Sequence, residues 1–221
     1  MSGAAEIVEI TWLGHSCFRL RSDDLVVLTD PYPLSLGLRP EARPSTVVTV
    51  SNKHPNHNSV EDLVGEPKVF TAPGEYEFSG ISVRGVMTPL PPDTAMEQRN
   101  VAYSIEIDGV NICHLGDISQ PLSTKQLDEL SPVDVLLVPT GGGCTLDLAQ
   151  VLQIMQDLDP KVVIPMHYSV PPIDASLQSV DAFLSRMGLS EVQPQPRLVA
   201  TASNLSPDMK VVLLASQGRA P

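Results

Sequence analysis

Short apolar runs rich in β-branched residues recur along the whole chain, separated by proline, glycine and charged positions. Ile7–Trp12 partly alternates and predicts a strand, Leu13–Ser16 a turn, Cys17–Leu20 a second strand and Leu25–Thr29 a third, which Asp30-Pro31 ends. With Asp23-Asp24 at one tip, this opening predicts a β-meander. Thr46–Val50 predicts a buried strand, followed by Lys68–Thr71 and the alternating run Ile81–Val86, with Pro73–Glu77 as a loop between them. Asn100–Ile107 and Val110–Leu115 flank Asp108-Gly109, a strong hairpin signal. Val133–Val138 and Lys161–Met166 predict further buried strands, and Arg197–Thr201 and Met209–Ala215 closing ones.

Helical periodicity is confined to the intervals. Ser59, with Asp62 three residues on, predicts a helix start, and Ser123 or Thr124 caps a helix running through Leu130. Thr145 caps a longer one that carries Leu148, Val151, Leu152, Met155 and Leu158 on one stripe. Ala175–Met187 predicts a last helix, stopped by Gly188. The order meander, βαβ, hairpin, βαβ predicts an α/β protein. Strands in two groups, each followed by helices, predict two mixed sheets facing each other with helices on the outer faces, a four-layer αββα sandwich expected to fill one domain over residues 1–221.

Composition narrows the partners. The chain has 221 residues, 42% of them hydrophobic, enough for one full core. A net charge of −12 and a pI near 4.7 argue against nucleic acid or an anionic membrane as partner, because phosphate binding needs a basic surface. No run is long enough for a membrane span, Met1–Glu6 shows neither the basic region nor the apolar core expected of a signal peptide, and the three cysteines, Cys17, Cys113 and Cys144, are scattered. A cytoplasmic protein with reduced thiols is the expectation. The 21 prolines cluster between the apolar runs and predict rigid loops.

The chemistry lies at the strand ends. All five histidines, His15, His54, His57, His114 and His167, fall at or near one. Ser51-Asn52-Lys53-His54-Pro55-Asn56-His57-Asn58 puts two imidazoles and two amides on a turn after a buried strand, a good place to aim ligands at one metal ion. Cys144, after three glycines, reads as a small buried residue, and Glu75 and Glu77 as solvated loop positions.

The stretch resembles the signature of the metallo-β-lactamase superfamily, His-x-His-x-Asp-His after a strand, and reads Asn52-x-His54-x-Asn56-His57. Thr29-Asp30-Pro31, Gly116-Asp117 and His167 at a strand end resemble other landmarks, in the family's order. A histidine expected after Ile81–Val86 is replaced by Met87-Thr88. The resemblance implies the same sandwich and a metal-dependent hydrolase. Of its two metal sites, the first would retain only His54, with Asn52 and Thr88 as substitutes. The second would retain His57, His167 and the normally bridging Asp117, with Asn56 offering a neutral carbonyl oxygen. One divalent ion is therefore expected, zinc by default, with manganese or iron as alternatives. Asp30 is expected to orient the ligand loop by hydrogen bonding. His15 and His114 resemble segments of a branch that includes L-ascorbate-6-phosphate lactonase. They are expected to give hydrogen-bonding support, with His114 as a proton relay beside Asp117. The expected substrate is a small ester, lactone, amide or phosphoester. The competing expectation is a non-catalytic binding module on the same fold with no metal, because Asn56 cannot act as a base. A nuclease, the third reading, suits this acidic chain poorly.

Overall fold

The computed structural model describes residues 6–38, 43–89, 95, 99–173 and 176–218. Two mixed sheets face each other. The first contains β1 (Val8–Gly14), β2 (Cys17–Ser22), β3 (Leu25–Thr29), β4 (Val47–Thr49), β5 (Lys68–Phe70) and β12 (Leu198–Ala200), in the order β12-β1-β2-β3-β4-β5. The second contains β6 (Gly74–Phe78), β7 (Ile81–Met87), β8 (Val101–Ile107), β9 (Val110–His114), β10 (Val135–Pro139), β11 (Val162–Met166) and β13 (Lys210–Val211), in the order β13-β11-β10-β9-β8-β7-β6. The helices are α1 (Thr124–Leu130), α2 (Leu148–Leu158) and α3 (Asp181–Arg186). Among the described residues no helix is long and apolar enough to cross a membrane.

The period-2 pattern sorts the first sheet's side chains. Trp12, Phe18, Leu20, Val27 and Val47 point into the main core, while Leu13, Cys17, Leu28 and Val48 enter a smaller cluster on the other face. That second face is covered by irregular chain bearing Tyr32, Leu38, Val60, Leu63 and Ile173. In the second sheet, β10 and β11 are buried along their whole length, which is why they read as continuous apolar runs. The Asp108-Gly109 hairpin forms as expected, with φ of 47° and 73°.

Several local expectations are corrected. No helix follows Ser59: its N–H bonds the Pro31 carbonyl (2.8 Å) and the segment makes only a turn, Leu63 N to Val60 O (3.4 Å). Gly65 at φ 85° and Pro67 cut the segment too short to propagate a helix. The Pro73–Glu77 loop is largely strand β6, paired with β7 and anchored by Tyr76 stacked on Phe70 at 4.2 Å. That is a tertiary contact overriding a poor local propensity. The cap of α2 is Asp147, which forms a capping box with Gln150, while Thr145 Oγ1 bonds the Gly142 carbonyl. The last helix shrinks to Asp181–Arg186, with Gly188 at φ 68° just beyond it; the expected start at Ala175 lies outside the described residues. The final strand is only Lys210–Val211, plus a bridge from Gln195 to Leu214.

Asp134 joins three strands of the second sheet at its start. Its carboxylate accepts from Asn111 N (2.9 Å), Asn111 Nδ2 (3.2 Å) and Lys161 Nζ (2.7 Å). Burial alone would raise this carboxyl, but the Lys161 and Asn111 donors outweigh it and hold it below its ordinary 3.8. A depressed carboxyl stabilises the fold above its unfolded value, and that contribution is lost as the pH falls through the folded one. Asp134→Asn is therefore expected to lower stability at pH 7 by about 1–2 kcal/mol. It should also melt with a shallower loss below about pH 4 than the parent, in paired thermal scans from pH 7 to pH 2.

Candidate metal centre

Parallel pairing of β3 with β4 brings the ends of both strands together. Asp30, the residue after β3, is fully buried at φ 39°. Its Oδ1 accepts Ser51 N (2.7 Å), and its Oδ2 accepts Ser51 Oγ (2.6 Å) and faces His57 Nδ1 at 2.7 Å. One carboxylate thus ties down the start of the histidine turn and the ring at its end. The other ring nitrogen, Nε2 of His57, lies 2.9 Å from Asp117 Oδ2.

Asp117 arrives from the second sheet, three residues past β9. Its N–H bonds Asn100 Oδ1 (2.8 Å), and Asn100 Nδ2 holds the Leu115 carbonyl (2.9 Å) and Thr88 Oγ1 (3.2 Å). Gly116, at φ 59°, makes the bend: a Cβ there would strike Asn100 Oδ1 and Ser51. Gly116→Ala is expected to cost about 1–3 kcal/mol by backbone strain and overpacking. Its melting temperature should fall whether or not metal is added.

His167 follows β11 at φ 52°, and its Nε2 lies 3.2 Å from Asp117 Oδ1. Asp117 therefore stands between two imidazoles, with Asp30 behind the first. The ring of His15, from the β1–β2 turn, lies 4.8 Å from that of His57 and 4.3 Å from that of His167, centroid to centroid.

Burial shapes the charges. For His57 burial favours the neutral ring, but the Asp117 and Asp30 carboxylates outweigh it and raise it to about 10. Burial would raise Asp117, yet His57 and His167 hold its carboxyl well below the usual range. Burial lowers His167 despite Asp117. It also pushes His15 down to about 2, with His167 and His57 adding repulsion.

The expected residues separate into two groups. His57, Asp117 and His167 meet at one point, with Asp30 in its bracing position and His15 beside the rings. His54, Asn52 and Asn56 do not join them. His54 is exposed, and its Nδ1 accepts the Asn56 N–H (3.2 Å). The Asn52 side chain is used by the turn, accepting His54 N (2.9 Å) and donating to Ser51 Oγ (3.2 Å). His114 is fully buried behind Asp30, with Nε2 on the Ser16 carbonyl (2.8 Å) and 3.9 Å from Asp30 Oδ2. Glu75 and Glu77 sit exposed on β6. Ser51, Asn100 and Thr88 carry the hydrogen bonds that set the site, a supporting role that the residues around them in sequence do not signal. Cys144 is exposed, and its sulfur lies within 4.8 Å of ligand atoms of Asp117 and His167. Of the proline-bearing loops between the apolar runs, residues 39–42, 90–94 and 96–98 lie outside the described residues.

These residues fit one ion. Two buried imidazoles and a carboxylate converge, Asp30 fixes His57 through Nδ1 so that Nε2 faces the gap, and Asp117 Oδ1 is a buried oxygen without a hydrogen bond. They do not fit two, since Thr88 is tied to Asn100 and Asn52 to its own turn.

Residues 9–167 match the family model described as β-lactamase superfamily domain. The chain belongs to this superfamily. It is 28% identical over 201 residues to a UPF0173 metal-dependent hydrolase of Carboxydothermus hydrogenoformans, covering 76% of this chain and 88% of the relative. A metal-dependent hydrolase of Archaeoglobus fulgidus is 28% identical over 200 residues, covering 75% and 85%. Among solved structures, a Thermotoga maritima protein named as a Zn-dependent hydrolase of the metallo-β-lactamase superfamily superposes with a TM-score of 0.77 at 30% identity, covering 94% of this chain and 98% of that one. None of these three carries the lactonase name. The two-sheet architecture is that of the superfamily, with fewer helices on the first sheet than the sequence predicts.

Proposed function

We propose that this chain is a hydrolase working with one divalent ion held by His57, His167 and Asp117, acting on a small ester, lactone, amide or phosphoester. The observation that carries it is the Asp117 carboxylate set between Nε2 of His57 and Nε2 of His167. Zinc is the expected ion, with manganese and iron the alternatives, since two imidazoles and a carboxylate suit all three. Such an ion, when bound, lowers the pKa of water from about 15.7 towards about 7 and polarises the substrate oxygen.

The side chains supply the positioning. Asp30 orients His57, Asn100 fixes the backbone of Asp117, and the Ser16 carbonyl holds Nε2 of His114 at 3.9 Å from Asp30. Asp117 is ionised at neutral pH and can accept a hydrogen bond from an attacking water. Asn56 cannot take a proton, so the part left to Asp117 is to hold the ion and orient the water. The three cysteines are free thiols, which suits the reducing cytoplasm.

One observation favours the second reading, a non-catalytic module. His57 already faces two carboxylates, so the cluster is partly satisfied without an ion. Elemental analysis after exposure to zinc, manganese and ferrous iron, beside His57→Ala, separates the two. One ion per chain, absent from the variant, supports the hydrolase and justifies a substrate screen. No ion at any concentration leaves the binding module, and hydrolysis that survives full chelation overturns the metal mechanism. Metal at about 100 times its Kd should stabilise the protein by about 2.7 kcal/mol, a rise of about 5–10 °C in Tm at this chain length. Because the Asp117 and Asp30 carboxylates favour the charged form of the His57 ring, uptake should release a proton, seen as a buffer-dependent heat of binding.

A further inference from the structure

The superfamily's pattern is short of ligands here, and the fold sets an imidazole with no assigned ligand role beside the gap. His15 is 4% exposed and holds φ 51°, a left-handed conformation uncommon for a residue other than glycine. Ligand nitrogens of His15, His57 and His167 lie within 4.8 Å of one another. Nδ1 of His15 is buried with no hydrogen-bond partner, as is Nδ1 of His167. The His15 carbonyl accepts both Trp12 Nε1–H (2.9 Å) and His167 N–H (3.0 Å), so the backbones carrying the two rings are tied together. A packing role would be served as well by an apolar ring, without leaving a polar nitrogen unpaired in the interior.

We propose that His15 is a direct ligand of the ion, completing with His57, His167 and Asp117 a centre of three imidazoles and one carboxylate. The inference rests on the reading of this cluster as a metal site. Tetrahedral ligands at about 2.0–2.1 Å stand about 3.4 Å apart, so nitrogens within 4.8 Å of one another need only a modest closure. The rival is Cys144, but it is exposed, whereas His15 has the buried, unpaired nitrogen. Four protein ligands would close a tetrahedral ion. An ion that accepts a fifth ligand, as zinc, manganese and iron can, keeps a position for substrate.

The test compares the full chain with His15→Ala and His15→Gln; the glutamine variant keeps a polar side chain should alanine fail to fold. Copper(II) is loaded and coordinated imidazoles are counted by pulsed EPR. Zinc affinity is measured against a chromophoric chelator, and the metal-free proteins are melted. The expected result is three imidazoles in the parent and two in each variant, with zinc affinity at least about tenfold lower and an unchanged metal-free melt for His15→Gln. A parent with one ion, two imidazoles and the same count in both variants overturns the ligand role and leaves the metal site intact. So does a thiolate charge-transfer band in the cobalt(II) protein that Cys144→Ser abolishes. A parent that binds no ion overturns both readings together.

Discussion

Asp117→Asn is expected to emerge from purification without stoichiometric metal. It should bind added zinc at least about 100-fold more weakly than the parent and lose hydrolysis in proportion. Asparagine keeps the size of the side chain and its backbone bond to Asn100, so the loop should stay in place. What disappears is the charge shared by His57 and His167. An amide can turn its oxygen to only one of them, and its NH2 then faces the other. Elemental analysis with a chelator-competition titration measures the affinity, and assay of any substrate the parent turns over measures the rate. An Asp117→Asn protein that retains one tightly held ion would show that Asp117 is not a ligand, and the proposed centre would have to be abandoned.

Asp30→Ala should instead damage the fold itself. Asp30 is fully buried and serves Ser51 N, Ser51 Oγ and His57 Nδ1. Removing it strands all three, and breaking a buried charged pair costs about 3–5 kcal/mol. For a chain of this length that is a fall of about 6–20 °C in Tm. Asp30→Asn should fall less, because asparagine tolerates the left-handed backbone and can still accept from Ser51. Its metal affinity should still drop about 10–100-fold, since His57 loses its orienting carboxylate. Differential scanning calorimetry of the metal-free proteins isolates the structural part, and the same scans with zinc add the binding part. Equal melting of Asp30→Ala and the parent would mean that the site is not braced through this residue.

The positions of these residues were legible because each occupies a strand end. Thr29-Asp30, Gly116-Asp117 and Met166-His167 each follow a β-branched or apolar run that could be read without coordinates. Strand patterns survive translation into structure well when one or both faces are buried, as in β1 to β4 and in β10 and β11. Weaker local signals failed where tertiary contacts decided. The Ser59 cap signal was overruled because Pro31 took its N–H and Gly65 and Pro67 followed too soon. Strand β6 was hidden by its glycine and glutamates, and exists because β7 pairs with it.

Alternation and turn residues by themselves determined the two-sheet class and the hairpin at Asp108-Gly109, and the family resemblance of the strand-end motifs implied a shared site for His57, Asp117 and His167. Period-2 burial and turn chemistry are local rules, so they can be read one segment at a time. Only the tertiary structure decided which polar groups the neighbours would consume. Asn52 and His54 are absorbed by their own turn and Thr88 by Asn100, whereas His15 keeps a buried nitrogen unpaired beside the cluster. Hydrogen-bond satisfaction depends on atoms brought together from distant strands, and no pattern along one chain segment carries that information.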